Sequence, residues 1–189
     1  MPYPERKTTR IPGYDYRNTG YYFITICTQN KQNLFGQIQN DKVQPSAQGK
    51  IVSQNWLDIP NHHSGITLDA FILMPNHLHG IIMIHSDRSA LIVPGQSSDV
   101  AGYVPTGHAS FISPKSGSLS AVIRSFKSAC TKRINEESLH KNPIWQSRFY
   151  EHVIRDENDL HRIRMYIENN PLRWSEDEFF RASGIYVGT

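Results

Sequence analysis

Two histidines one residue apart, His77 and His79, open an apolar run in the stretch MPNHLHGIIMI over residues 74–84. On a β-strand, residues i and i+2 point to the same face. The two imidazoles therefore project together, with Ile81 and Met83 behind them. Two same-side imidazoles chelate one divalent ion when a third ligand arrives from elsewhere. A plainer reading, a pair of surface or hydrogen-bonded histidines, stays open on this short motif alone. His85 shares their parity, but six residues of extended strand place it about 20 Å from His79, too far to share an ion. His62, His63, His108, His140, His152 and His161 are scattered and need no role.

The second group with chemical potential is RMYIENNP, residues 164–171. Tyr166 and Asn170 are four apart, so a helix sets them on one face, a turn from each other. Asn170 falls at the C-terminal edge of that helix, because Pro171 disfavours helical geometry in the residue before it. A carboxamide oxygen there can act as a third metal ligand and leave Tyr166 within a turn of the ion. A phenol with a pKa near ~10 is a poor nucleophile at neutral pH. Beside a divalent cation, both its phenolate and the charge developing on an attacked phosphate are stabilised. The alternative is a tyrosine packed at a seam and an Asn-Asn-Pro helix stop. With nine tyrosines in the chain, only the histidine pair singles this one out.

The elements that must position these groups are readable from periodicity. YYFITICTQ (21–29) reads as a strand whose more apolar face is Tyr22, Ile24 and Ile26. AQGKIVSQNWLDI (47–59) places Ile51, Val52, Trp56 and Ile59 at helical spacing. GITLDAFIL (65–73) and HLHGIIMI (77–84) read as an antiparallel hairpin, since only Met74, Pro75 and Asn76 separate them. Leu78, Ile82 and Ile84 make the second of these strands apolar on its other face, where helices are expected. The histidines are then expected on the face that the helices leave open. Residues 86–118 are rich in Ser, Gly and Pro and read as a long loop. SLSAVIRSFKSACTKRI (118–134) aligns Leu119, Val122, Ile123, Phe126, Cys130 and Ile134 on one stripe, with Ser118 as N-cap. Arg124, Lys127 and Lys132 lie off that stripe, where they can meet phosphates. RFYEHVIR (148–155) reads as a fourth strand, and Asp156 caps the helix 157–170 with Leu160, Ile163 and Ile167 facing inward. Ser175 and Glu178 have capping-box spacing for a short last helix. The order β-α-β-β-α-β followed by a helix predicts an α+β, ferredoxin-like (RRM-like) split βαβ fold. Its antiparallel sheet carries helices on one face, plus a C-terminal tyrosine-bearing helix. Fold alone assigns no activity.

Composition narrows the class. The chain has 189 residues, 38% hydrophobic and 11% aromatic, which suits a single globular domain. No apolar stretch approaches the ~20 residues of a membrane span. MPYPERKTTR lacks the apolar centre of a secretory signal, which points to a cytoplasmic protein. Cys27 and Cys130 match no zinc or redox spacing and read as reduced core thiols. Net charge is only +3, but Val100 to Asn135 contains no acid while holding Lys115, Arg124, Lys127, Lys132 and Arg133. The N-terminal arm adds Arg6, Lys7, Arg10 and Arg17. Clustered positive charge is the footprint expected for a phosphate backbone, although a basic helix face is often simply solvated.

The stretches FILMPNHLHGIIMI, GSLSAVIRSFKSACTKRIN, IWQSRFYEHVIRDENDL and YIENNP, in this order, resemble the single-tyrosine HUH transposases of the insertion-sequence-200/605 type. Within these the chain is most similar to the REP-associated tyrosine transposases, from about Tyr21 to Trp174. The resemblance implies a basic arm (1–20), one domain (21–174) with the 86–118 loop inserted, and a tail (175–189). It implies that His77 and His79 are the HUH pair, Asn170 the third metal ligand and Tyr166 the nucleophile. Tyr150 lies in the predicted fourth strand and does not match the nucleophile position. The implied cofactor is Mg²⁺ or Mn²⁺, and the implied substrate is single-stranded or hairpin DNA. Its backbone would be held by Arg124, Lys127, Lys132 and Arg133. The implied reaction is nicking and rejoining through a 5′-phosphotyrosine, by a monomer or a homodimer. The alternative is a DNA-hairpin-binding protein derived from such a transposase without its catalysis.

Overall fold

A computed structural model describes residues 11, 13–85, 117–137 and 143–180. The expectations for the basic N-terminus (1–10), most of the long loop (86–116) and the end of the tail (181–189) lie outside the described residues. The central sheet has four antiparallel strands in the order β4 (Ile66–Leu73), β5 (His77–Ile84), β1 (Gly20–Cys27) and β6 (Tyr150–Ile154). Helix α1 (Ala47–Leu57) and a one-turn helix α2 (Ile59–His62) connect β1 to β4. Helix α3 (Leu119–Glu137) connects β5 to β6, and α4 (Glu157–Asn169) follows β6. This is the predicted ferredoxin-like order. The tight β4–β5 connection forms as expected, with Met74 N–H donating to His77 C=O at 2.8 Å.

Alternation along the strands divides the sheet into two unlike faces. Tyr22, Ile24 and Ile26 of β1 and Leu78, Ile82 and Ile84 of β5 are all fully buried on one face. There they pack with Ile51, Val52 and Trp56 of α1 and with the predicted apolar stripe of α3. Gly80 of β5 is required by this packing: a Cβ on it would lie 2.4 Å from the Trp56 indole. Both helices begin as their sequences dictate. The Ser46 hydroxyl accepts from Gly49 N–H at 3.0 Å, and Ser118 accepts from Ala121 N–H at 3.3 Å.

The opposite face is not left open, and this corrects the sequence reading. Helix α4 crosses it, burying Leu160, Ile163 and Ile167 against Phe23, Ile81 and Ile154. A charge-assisted fork fixes the helix to the far edge of the sheet. The Arg164 guanidinium donates to both oxygens of Asp69, which lies in a β-bulge of β4, at 2.8 and 2.6 Å. At its N-terminal half, Asp159 pairs with His152 of β6 at 2.7 Å. Asp156 caps α4 as predicted, accepting from Asp159 N–H at 2.8 Å.

Pro171 ends α4, and the chain continues as a 3-10 turn, Pro171–Glu176. The short helix expected from Ser175 and Glu178 is absent among the described residues, because Ser175 lies inside that turn. Residues 177–180 instead fold back over the histidines. A small hairpin not anticipated from the sequence, β2 (Gly36–Gln39) and β3 (Lys42–Pro45), stands apart from the main sheet. Asn40 and Asp41 both adopt positive φ at its tip, the backbone that a two-residue hairpin turn requires.

Candidate active site

His77 and His79 lie at the end of β5 on the α4 face and are 0% and 1% exposed. Register places Cys27 opposite His77 and Thr25 opposite His79. The Thr25 hydroxyl is hydrogen-bonded to Nδ1 of His79 at 2.8 Å. Nδ1 of His77 is bonded to Asn76 Oδ1 at 2.9 Å. Both Nδ1 atoms are therefore occupied, and the Nε2 atoms face one shared space. The Tyr166 hydroxyl is hydrogen-bonded to Nε2 of His79 at 3.2 Å. Nε2 of His77 is buried without a hydrogen-bond partner, and so is Oδ1 of Asn170. Buried polar atoms are rarely left unsatisfied in native proteins. The Trp56 and Trp145 indole nitrogens share this condition, but His77 Nε2 belongs to a group of side chains able to hold an ion.

Asp177 completes the group. One atom each from His77, His79 and Asp177 lie within 4.8 Å of one another, so the three can hold a metal ion. Asp177 is itself held in place: Oδ1 accepts from Phe179 N–H at 2.6 Å, and Oδ2 accepts from Asn170 Nδ2 at 3.3 Å. Phe179 covers His77, with ring centroids 4.6 Å apart, and Lys31 Nζ sits 4.6 Å from the Phe179 ring centre.

The electrostatics favour a ligand role over a charge role for the imidazoles. Burial pushes His79 down to about 3. Burial, then the neighbouring His79 and Lys31, holds His77 well below its ordinary value. Both rings are thus neutral at neutral pH, the form that binds metal. Burial, followed by the charge of Asp177, pushes the Tyr166 phenol up to about 12. Unaided, that hydroxyl stays protonated. Its ring is nevertheless 43% exposed, opening on a cleft of about 540 Å³ lined by Arg162, Met165, Asn169, Arg173 and Asp177 among others.

The sequence reading brings Tyr166, Asn170, His77 and His79 together, and in the fold they do meet. It misses Asp177, which falls in the predicted tail and carries no periodic signal. The four basic residues of α3 are not part of this cluster, because α3 packs on the other face of the sheet. Arg124 and Lys132 are exposed along a shallow groove on its outer side. Lys127 departs from the expectation of a phosphate-facing cation. Its ammonium donates to the backbone carbonyls of Gln146 and Arg148 at 2.9 and 3.2 Å, and burial pushes it down to about 8. Arg133 donates to Asn55 and Gln54 of α1 at 3.3 and 3.1 Å. The thiols of Cys27 and Cys130 are free, and burial raises them to about 11 and about 12. No helix among the described residues is long and apolar enough to cross a membrane.

Fold and site together define a ferredoxin-like domain with a histidine-pair centre beneath a tyrosine-bearing helix. A solved structure with this fold is a REP-associated tyrosine transposase bound to a REP hairpin. It aligns with a TM-score of 0.56 and 19% identity, covering 87% of this chain and 73% of that one. The resemblance drawn from the motifs therefore holds at the level of the fold. No family model matches the chain. An uncharacterized protein of Haemophilus influenzae is 38% identical over 178 residues, 93% of each chain, and this protein belongs to one family with it.

Proposed function

We propose that this protein is a metal-dependent DNA strand transferase that nicks and rejoins single-stranded DNA at hairpins. The observation that carries the reading is the pair of unsatisfied buried atoms, His77 Nε2 and Asn170 Oδ1, gathered with His79, Asp177 and the Tyr166 hydroxyl. His77, His79 and a side-chain oxygen of Asn170 or Asp177 would hold the ion. Bound there, Mg²⁺ or Mn²⁺ supplies stabilisation of the charge that develops on the scissile phosphate. Asn76 and Thr25 orient the two imidazoles, a role in which such partners tune affinity.

Tyr166 Oη attacks the phosphorus, the bond to the 3′ oxygen breaks, and the products are a 5′-phosphotyrosyl link and a free 3′-OH. One phosphodiester replaces another, so the reverse attack by a 3′-OH reseals the strand without a nucleotide cofactor. The relative bound to a REP hairpin supports hairpin DNA as the substrate class. Arg124 and Lys132 are the α3 cations whose side chains are exposed to meet its backbone, whereas Lys127 and Arg133 are half-buried.

The test is incubation with labelled hairpin DNA bearing single-stranded flanks, with and without Mn²⁺. The expected result is a protein–DNA adduct that survives denaturant and disappears with Tyr166→Phe or with chelator. Tight hairpin binding without any adduct would leave a non-catalytic hairpin-binding protein. Absence of DNA binding would overturn both.

A further inference from the structure

Tyr166 is not the only tyrosine exposed beside the histidines. Tyr150, the first residue of the edge strand β6, is 45% exposed. Its register partner on β1 is Thr25, the residue that holds His79. Cross-strand partners share a face, so Tyr150 stands on the same side of the sheet as the histidines. The Tyr150 ring packs against Phe23 with centroids 6.3 Å apart and planes at 69°. Tyr166 packs against the same phenylalanine at 6.0 Å and 83°. The two exposed tyrosines therefore share one buried floor, and their separation cannot exceed the sum of those two spans. Helix α4 covers the floor on the Tyr166 side. Among the described residues, the Tyr150 hydroxyl has no hydrogen-bond partner. Arg148 and Arg155, exposed cations, flank the strand at its two ends.

We infer that Tyr150 is a stacking platform for an unpaired nucleobase adjoining the phosphate that Tyr166 attacks, an inference that rests on the DNA-processing reading above. Exposed aromatic side chains on an antiparallel sheet are a general means of holding single-stranded bases, interleaved with cations that follow the backbone. Contact with Phe23 already restricts the Tyr150 ring, so little side-chain freedom is lost when a base lies on it. Stacking does not need the hydroxyl. A base held here would fix the strand over the floor that the two rings share and hold the next phosphate near the Tyr166 oxygen.

The experiment uses hairpins whose single-stranded flank carries 2-aminopurine at one position at a time, and the same hairpin without a flank. Tyr150→Leu keeps an apolar contact on Phe23 and removes the ring. It should weaken binding of the flanked hairpin about tenfold, abolish fluorescence quenching at one flank position, and leave the flankless hairpin unaffected. Tyr150→Phe should retain wild-type affinity and quenching. Equal quenching and affinity in wild type and Tyr150→Leu would overturn the inference, as would equal losses in Tyr150→Phe and Tyr150→Leu. These readouts need no cleavage. A protein that binds but forms no adduct therefore contradicts the catalytic reading while leaving the platform measurable. A wild-type protein that binds no hairpin overturns both.

Discussion

The two faces of the sheet are both covered by helices, but they carry different chemistry. Under α1 and α3, the face of Tyr22, Ile24, Leu78 and Ile82 is apolar and close-packed, with Trp56 pressed onto the bare backbone of Gly80. Under α4, the same two strands set Thr25, His77 and His79 beside Phe23 and Ile81, and the polar side chains gather there into a group able to hold an ion. Adjacent residues on one strand thus do different work: Leu78 holds the fold, while its neighbours on either side hold chemistry. The polar face persists because the apolar one supplies the stability that a half-satisfied site cannot.

That contrast can be broken or sharpened by measurement. The largest effect should come from the apolar face. Trp56→Ala is expected to cost about 3–5 kcal/mol, read as a shift in the urea unfolding midpoint at constant slope. A loss under about 1 kcal/mol would mean that this face is not the source of stability. Next comes acid. His79 is held at about 3 in the fold against 6.5 in the open chain, so below pH 6.5 the unfolded state binds a proton that the folded state refuses. Metal-free stability should therefore be intact above pH 6.5 and fall as pH drops toward 3, and His79→Gln should flatten that profile.

Asn170→Leu separates site from scaffold more finely. It removes a carboxamide whose oxygen is unpartnered and whose nitrogen donates to Asp177, so metal-free stability should fall by no more than about 1 kcal/mol. Calorimetric Mn²⁺ affinity should meanwhile fall at least about tenfold. If stability drops with affinity unchanged, Asn170 is scaffold. The smallest effect concerns α3. Arg124→Ala and Lys132→Ala should each flatten the salt dependence of DNA binding, by roughly one unit of slope for every phosphate left without its cation. Lys127→Ala should act on thermal stability instead. An unchanged slope in both surface variants would remove α3 from the DNA interface.

Much of this is legible in the chain because periodicity encodes it directly. The strand at 77–84 has the predicted limits and Asp156 caps α4. Asn170 before Pro171, however, keeps helical φ and ψ (−60° and −40°), and the chain tightens into a 3-10 turn there instead of leaving helical geometry. The pairing of Tyr166 with His79 spans 87 residues; strand parity and helical spacing say only which residues share a face, and that the two faces meet is what the resemblance implied. What escapes depends on the chain returning to a place that no local pattern specifies. Asp177 reaches the histidines only because a 3-10 turn after Pro171 redirects the backbone. Lys127 lies off the apolar stripe of α3, as its spacing predicts, but the 146–148 segment comes back to cover it. The β2–β3 hairpin is built of glutamines and lysine around Ile38 and Val43, too little apolar contrast to read as paired strands. The expectation of an open face fails for a related reason: a helix placed after the last strand can lie on either side of the sheet.

Asn76 has a consequence that reaches beyond packing. Its amide nitrogen donates to the carbonyls of Lys31 and Phe179 at 3.1 and 2.7 Å, which uses both hydrogens and leaves only one way for the carboxamide to face. Its oxygen must then point at His77, and that oxygen can only accept. The proton of the neutral ring is thereby confined to Nδ1 and the lone pair to Nε2. The tautomer of a buried imidazole is thus dictated by two peptide carbonyls, 45 and 103 residues along the chain from Asn76.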